Sequence, residues 1–186
     1  MTSAEGEPVG APAAGRPRRA LERFCDAVDR VNRWSGVFWG FTIVAVTLTV
    51  LYEVTARTLF GAPTQWGNET TIYLSAMAYL LAGGYALLHR RHVRIDVIYQ
   101  TLRPGTRARL DAFTFLFFLA YMLTLIVVGG ADAWNSFQIG ETTSTPWNPV
   151  IWPVKLAIPA SGVLLLLQGI ANLLRDMGWV RGGTIE

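Results

Sequence analysis

Cysteine occurs once and histidine twice in 186 residues, and each scarcity narrows the chemistry open to the chain. With Cys25 alone, no internal disulfide can form. His89 and His92 stand three apart in one polar stretch, whereas bis-histidine haem ligation in a helical bundle needs ligands facing one another from different helices. No cysteine or third histidine lies near them in sequence to complete a metal site. The chain has no glycine-rich phosphate loop, no nucleophile elbow and no paired catalytic carboxylates. Nothing in it therefore points to an enzyme, a cofactor or a metal. The most extensive shortage is of charge.

Four stretches hold no charged residue: Ser35–Tyr52 (18 residues), Thr70–Leu88 (19), Ala112–Ala131 (20) and Leu156–Leu174 (19). A helix rises about 1.5 Å per residue, so roughly 20 residues cross a hydrocarbon core of about 30 Å. Hydrocarbon supplies no hydrogen-bond partner to the backbone, so each run is expected to be a helix. The expected fold is all-α, a polytopic membrane protein with four transmembrane helices and short amphipathic interfacial helices. A mean hydropathy of +0.33 and 52% hydrophobic residues agree, and little chain is left for a soluble domain. The net charge of +3 does not signal nucleic acid, because its distribution follows the spans. Of 16 Lys and Arg residues, six precede the first span, six lie between the second and third, and two follow the fourth. Only Arg57 and Lys155 remain for the other side. The positive-inside rule then places both termini and the middle loop in the cytoplasm.

Along the chain, residues 1–20 are rich in Pro, Gly, Ala and Arg and read as a disordered cytoplasmic tail. Residues 21–34 read as an amphipathic interfacial helix, with Leu21, Phe24, Cys25, Val28 and Val31 on one face, lying flat on the inner leaflet. A membrane domain over 35–175 follows, with spans near 35–58, 69–88, 111–133 and 150–174, and 176–186 form a second cytoplasmic tail. The first apolar run is too long for a typical signal-peptide core and lacks a small-residue cleavage site, so it reads as a retained span. Ile95, Ile98, Tyr99 and Leu102 fall at helical spacing and predict a surface helix over 93–103, although Val93, Ile95, Val97 and Tyr99 also alternate as in a strand. In the second span, Ala78, Ala82 and Ala86 recur beside Gly83 and Gly84, a small-residue stripe that lets helices approach closely. Pro153 and Pro159 should kink the fourth span or start it irregularly.

Two charged residues fall within reach of the first span. Glu53 and Arg57 are four apart, on one helix face, with Cβ atoms roughly 5–6 Å apart. They form either a charge-relieving ion pair or, on the sharper reading, an ion-coupling carboxylate with its partner. Glu69 suits the N-terminus of the second span. Arg90, Arg91 and Arg94, with Asp96, read as anchors for anionic lipid headgroups or a partner subunit. Trp147 and Trp152 read as interface anchors.

These residues together resemble a known family. Tyr52-Glu53-Val54, Arg57, Phe60-Gly61, Pro63-Thr64, Trp66 and Glu69 are followed by Gly83-Gly84, Ala86-Leu87 and Arg91-His92-Val93-Arg94-Ile95-Asp96. Further on come Glu141-Thr142-Thr143, Thr145-Pro146, Ile158-Pro159 and Gly162. The order and spacing resemble the small membrane subunit, the DctQ type, of tripartite ATP-independent periplasmic (TRAP) transporters over about 37–174. Gly67-Asn68 is a departure, since the family often has a further acidic residue beside the position of Glu69.

The resemblance implies a bacterial inner-membrane protein without catalytic residues. Its partners would be a large membrane subunit that moves solute by an elevator-like cycle on a sodium gradient, and a periplasmic binding protein that captures a carboxylate or other organic acid. The small subunit would hold the static part of the large one and help dock the binding protein. The candidate structural or partner-facing residues are then Glu53, Arg57, Trp66, Glu69, Gly83, Gly84, Arg91, His92, Arg94, Asp96, Pro146 and Pro159. Two other readings compete: a self-sufficient proton-coupled transporter using Glu53, and the membrane anchor of a redox complex.

Overall fold

The computed structural model describes residues 16–89 and 104–177. Every regular element among them is a helix: α1 (Arg16–Phe60), α2 (Gly67–Leu81), α3 (Gly83–Leu88), α4 (Pro104–Ile139) and α5 (Trp152–Asp176). The break between α2 and α3 is slight, because Ala82 N–H still reaches Ala78 O at 3.0 Å and Ala86 N–H reaches Ala82 O at 3.2 Å. Four helices are therefore long and apolar enough to cross a membrane: α1, α2 with α3, α4 and α5.

The helix limits follow from local chemistry. No proline falls between Pro17 and Pro63, so nothing interrupts the α1 ladder. The exposed hydroxyls of Thr47 and Thr55, which hydrocarbon could not satisfy, bond the carbonyls of Ile43 and Leu51 one turn back. Gly61 (φ +60°) ends α1 and Gly140 (φ +61°) ends α4, each in the left-handed conformation that closes a helix. Ala62 N–H then returns to Ala56 O at 3.2 Å, and Glu141 N–H to Ser136 O at 3.0 Å. Pro153 occupies the first turn of α5, where its missing N–H costs nothing. Pro159 lies inside α5 without ending it.

Two expectations need correction. The segment 21–34 is not a separate element; it continues into the first span as one helix. Its buried side is also turned from the expected face. Cys25 and Val28 are buried and pack, with Leu21, against Ala171, Leu167 and Leu174 of α5. Phe24 and Val31 are exposed, whereas Asn32 and Ser35 are buried. A helix docked on a neighbour along its whole length buries whatever faces that neighbour, including polar groups that can be satisfied there. The small-residue stripe is likewise only partly a packing face. Ala78 is buried, Ala86 is exposed, and beyond the break at Ala82 the buried side passes to Gly84 and Leu88. The surface helix expected over 93–103 lies outside the described residues.

The helix α5 is the hub, touching all the others, while α4 packs chiefly on α5. Lipid tails are as apolar as leucine, so close approach must hold the helices together. The α4–α5 seam accordingly uses glycine on both sides. Gly129 of α4 sits beside Ile158 and Pro159, and Gly169 of α5 sits beside the Phe118 ring. Successive spans run in opposite directions: Ser35 of α1 bonds Leu81 at the end of α2, Thr143 just after α4 meets Glu69 at the start of α2, and Lys155 at the start of α5 meets Asp132 toward the end of α4.

Candidate functional site

Polar side chains gather at the two ends of the bundle. At one end, Glu53 is only 7% exposed although it lies near the end of α1. Its Oε1 accepts from Arg57 Nη2 at 2.7 Å. Its Oε2 accepts from the Thr64 amide at 3.0 Å and from the Thr64 hydroxyl. The carboxylate thus fastens the turn after α1 to the helix it leaves. Gly67 makes this possible, since a Cβ there would stand 3.0 Å from Glu53 Oε2. Trp66, at the start of α2, stacks on Tyr52 with ring centroids 5.9 Å apart. Beside them, Tyr52, Thr55, Phe60 and Pro63 help to line a shallow apolar groove of about 450 Å³.

Glu69 does not join this group. It lies in the first turn of α2, where the helix dipole favours a carboxylate, and accepts from Thr143 Oγ1 at 3.3 Å. It therefore braces α2 against the loop between α4 and α5. That loop is held tightly: Thr143 N–H bonds Pro149 O at 3.2 Å and Ile151 N–H bonds Glu141 O at 3.0 Å. Ser144 (φ 54°) and Asn148 (φ 52°) take left-handed conformations within it, and Asn148 Oδ1 accepts from the Ser144 amide at 3.1 Å. Lys155 of α5 closes the loop from below, 2.7 Å from Glu141 Oε2 and 3.1 Å from Asp132 Oδ2 of α4. The Lys155 ammonium beside Glu141 holds its carboxyl below the usual carboxylate range. Both basic residues at this end are thus paired with acids.

The opposite end carries a network that the sequence reading missed. Arg175 Nη1 and Nη2 of α5 grip Asp29 of α1 in a two-pronged pair, at 3.2 and 2.6 Å. Gln168, fully buried, donates to Asp29 Oδ1 at 3.0 Å and to Asn172 Oδ1 at 3.3 Å. It accepts from Asn32 Nδ2 at 2.8 Å, and Asn32 is 1% exposed. Asn172 Nδ2 donates to Leu87 O of α3 at 3.2 Å. Three helices are joined by this one chain of hydrogen bonds. Ser35 Oγ adds a bond to Leu81 O of α2 at 2.8 Å. The signal was available: Gln168, Asn172 and Arg175 fall at i, i+4, i+7 on α5, and Asp29 and Asn32 fall three apart on α1.

The remaining expected residues divide plainly. A Cβ on Gly84 would collide with the Asn32 carboxamide, so Gly84 makes room for the network. A Cβ on Gly83 would meet Leu165 at an ordinary 3.6 Å. Pro159 is buried within the chain against α4, and Pro146 is exposed in the loop before α5. Arg91, His92, Arg94 and Asp96 lie outside the described residues. His89 Nδ1 lies 3.0 Å from Tyr85 O, on its own helix.

Chemically, this arrangement braces helix ends. Glu53 has accepted three hydrogen bonds, and among the described residues no group of three His, Cys, Asp or Glu side chains could hold a metal ion. Compared with known protein families, residues 46–178 match the family described as "Tripartite ATP-independent periplasmic transporters, DctQ component". The matched stretch includes Glu53, Glu69, Gln168 and Arg175, and begins after Asp29 and Asn32. No curated protein matched the chain.

Proposed function

The chain belongs to the DctQ family of TRAP transporter components, and from that premise we propose that it is the static membrane scaffold on which the large elevator-type subunit moves. Family membership makes it a small permease subunit, a multi-pass inner-membrane protein working with a large membrane subunit and a solute-binding protein. The finer reading is ours. The chain fixes the immobile part of the large subunit in the bilayer, and its Glu53 end contributes to the docking surface for the periplasmic binding protein. The cycle imports an organic acid on an ion gradient, sodium being the ion that the family resemblance suggests. Both termini face the cytoplasm, in keeping with the bias of basic residues, and the arginines around 90–109 meet anionic headgroups there.

One observation carries this reading: the ionic groups of the described spans lie toward the helix ends, leave the middle of each span uncharged, and at three places are tied down. Asp29 is held by Arg175, Glu53 by Arg57 and Thr64, and Lys155 by Glu141 and Asp132. An uncommitted ionisable side chain deep in a span would instead mark a substrate or proton path. Rigid, cross-braced helix ends suit a frame that a moving partner slides against.

The test is co-purification. A tagged copy of the chain expressed with the solute-binding protein and large subunit should carry the large subunit through detergent purification. Glu53→Gln with Arg57→Met should leave that association intact while weakening capture of the binding protein. Failure of the unaltered chain to retain the large subunit would contradict the scaffold role. Unchanged capture and uptake in the double variant would contradict the docking role.

A further inference from the structure

Arg30 and Arg33 stand on the open side of α1, where its charged segment gives way to its apolar one. The uncharged run begins at Ser35, and these two arginines are the last charges before it. The bundle meets the other side of the helix, through Cys25, Val28, Asn32 and Ser35. On the open side Arg30, Arg33, Val37, Phe41 and Val44 follow one another at i, i+3, i+7, i+11 and i+14, and all are exposed. Trp34, 71% exposed, flanks this strip and stacks on Phe38 with ring centroids 5.5 Å apart. Two cations thus sit at the foot of an apolar strip, with a tryptophan beside them at the depth where tryptophans gather. The fold is what leaves these cations unmatched. In a lone helix Asp29 would serve Arg33, since an acid four residues before a base is the favoured order. Here Asp29 is turned to α5 and held by Arg175 and Gln168. Asp26, four residues before Arg30, is exposed, and no ion pair joins the two among the described residues.

We propose that this strip binds one anionic phospholipid, its phosphate held between the Arg30 and Arg33 guanidiniums and an acyl chain laid along Val37, Phe41 and Val44. Charge decides the occupant. Two copies of this chain inserted the same way would set arginine against arginine at one depth, so a second copy is disfavoured. Loops of other membrane proteins carry the same excess of Lys and Arg at this surface, which makes them poor partners too. An anionic headgroup is the negative group present there all along the membrane, and a guanidinium takes a phosphate through paired hydrogen bonds. The apolar positions directly above the arginines then continue the contact in the direction the acyl chains run. The inference does not depend on the scaffold role; it concerns what holds the first helix at its depth.

Native mass spectrometry of the purified full chain, titrated with phosphatidylglycerol and separately with phosphatidylcholine, tests this directly. The chain should retain phosphatidylglycerol in preference to phosphatidylcholine. Arg30→Gln with Arg33→Gln should weaken phosphatidylglycerol binding about ten- to thirtyfold, and Arg30→Lys with Arg33→Lys should keep most of it. The control is Arg19→Gln with Arg23→Gln, the same loss of charge on the same helix roughly 10–16 Å farther from the apolar run, which should change binding less than about twofold. Excess inorganic phosphate at matched ionic strength should not displace the lipid. Equal retention of the two lipids, or unchanged binding in the Arg30 and Arg33 glutamine variant, would overturn the proposal. So would an equal loss in the control, which would show diffuse charge and no site, and so would displacement by inorganic phosphate. If the glutamine variant kept its lipid but lost the large subunit on co-purification, a protein would cover the strip, and the proposal would fail with the scaffold role standing.

Discussion

Gly84→Ala should lower the stability of the chain by about 3 kcal/mol, whereas Gly83→Ala, one residue away, should shift it by less than about 1 kcal/mol. The two glycines read alike in the sequence and differ in what faces them. A methyl group on Gly84 would occupy the space of the Asn32 carboxamide, which is itself bonded to Gln168 at 2.8 Å. To admit it, Asn32 must swing away and leave Gln168 without a partner at a fully buried site, so an overpacking cost and an unsatisfied polar group arise together. At Gly83 the methyl would meet the flexible end of Leu165 at 3.6 Å, ordinary contact, and the gain in helix propensity offsets the crowding. Thermal unfolding of the purified subunit in detergent, followed by tryptophan fluorescence, separates the two. Equal losses at both positions would show that the glycine pair acts through backbone flexibility and not through room for Asn32.

The second large effect is at the α1–α5 clamp. Arg175→Met leaves the Asp29 carboxylate, 19% exposed at its side chain, with Gln168 as its one remaining donor among the described residues. Breaking one partner out of a buried pair costs about 3 kcal/mol, on the order of 10 °C in the unfolding midpoint for a chain of this size. The double change Arg175→Met with Asp29→Leu removes both charges and should recover most of the loss, because well-packed apolar residues replace buried pairs at little cost. If the double variant is as unstable as the single one, the Arg175 stem matters for its packing and not for its charge. The same comparison should show the 16–34 segment of α1 becoming more protease-sensitive in the single variant, since only the apolar contacts of Leu21, Cys25 and Val28 and the amide bonds through Gln168 would then hold it to α5.

Much of this architecture was legible from the chain. The four apolar runs lie within the four spans, and the family resemblance read from Glu53, Arg57, Glu69 and the Gly83-Gly84 pair agrees with the family match over 46–178. The Glu53–Arg57 pair was legible because two charges one turn apart on a helix have only one economical arrangement. Burial between helices was not legible. Asp29 and Asn32 fall outside the apolar face of residues 21–34, and a single helix says nothing of its neighbour. They became the inner seam once α1 proved continuous and lay along α5. The partner of Gln168 is equally hidden from local pattern, lying 136 residues earlier in the chain. Glu69 found Thr143 because the loop after α4 folds back over the start of α2, a contact no local pattern encodes.

Solute flux into sealed vesicles tests the central claim most directly. Vesicles containing this chain alone, with an imposed sodium or proton gradient and labelled organic acids outside, should show no uptake above empty vesicles. Uptake should appear when the large subunit and the solute-binding protein are added, and should weaken when this chain is left out of the assembly. Concentrative uptake by the chain alone would contradict the account, because its spans would then contain a transport path of their own.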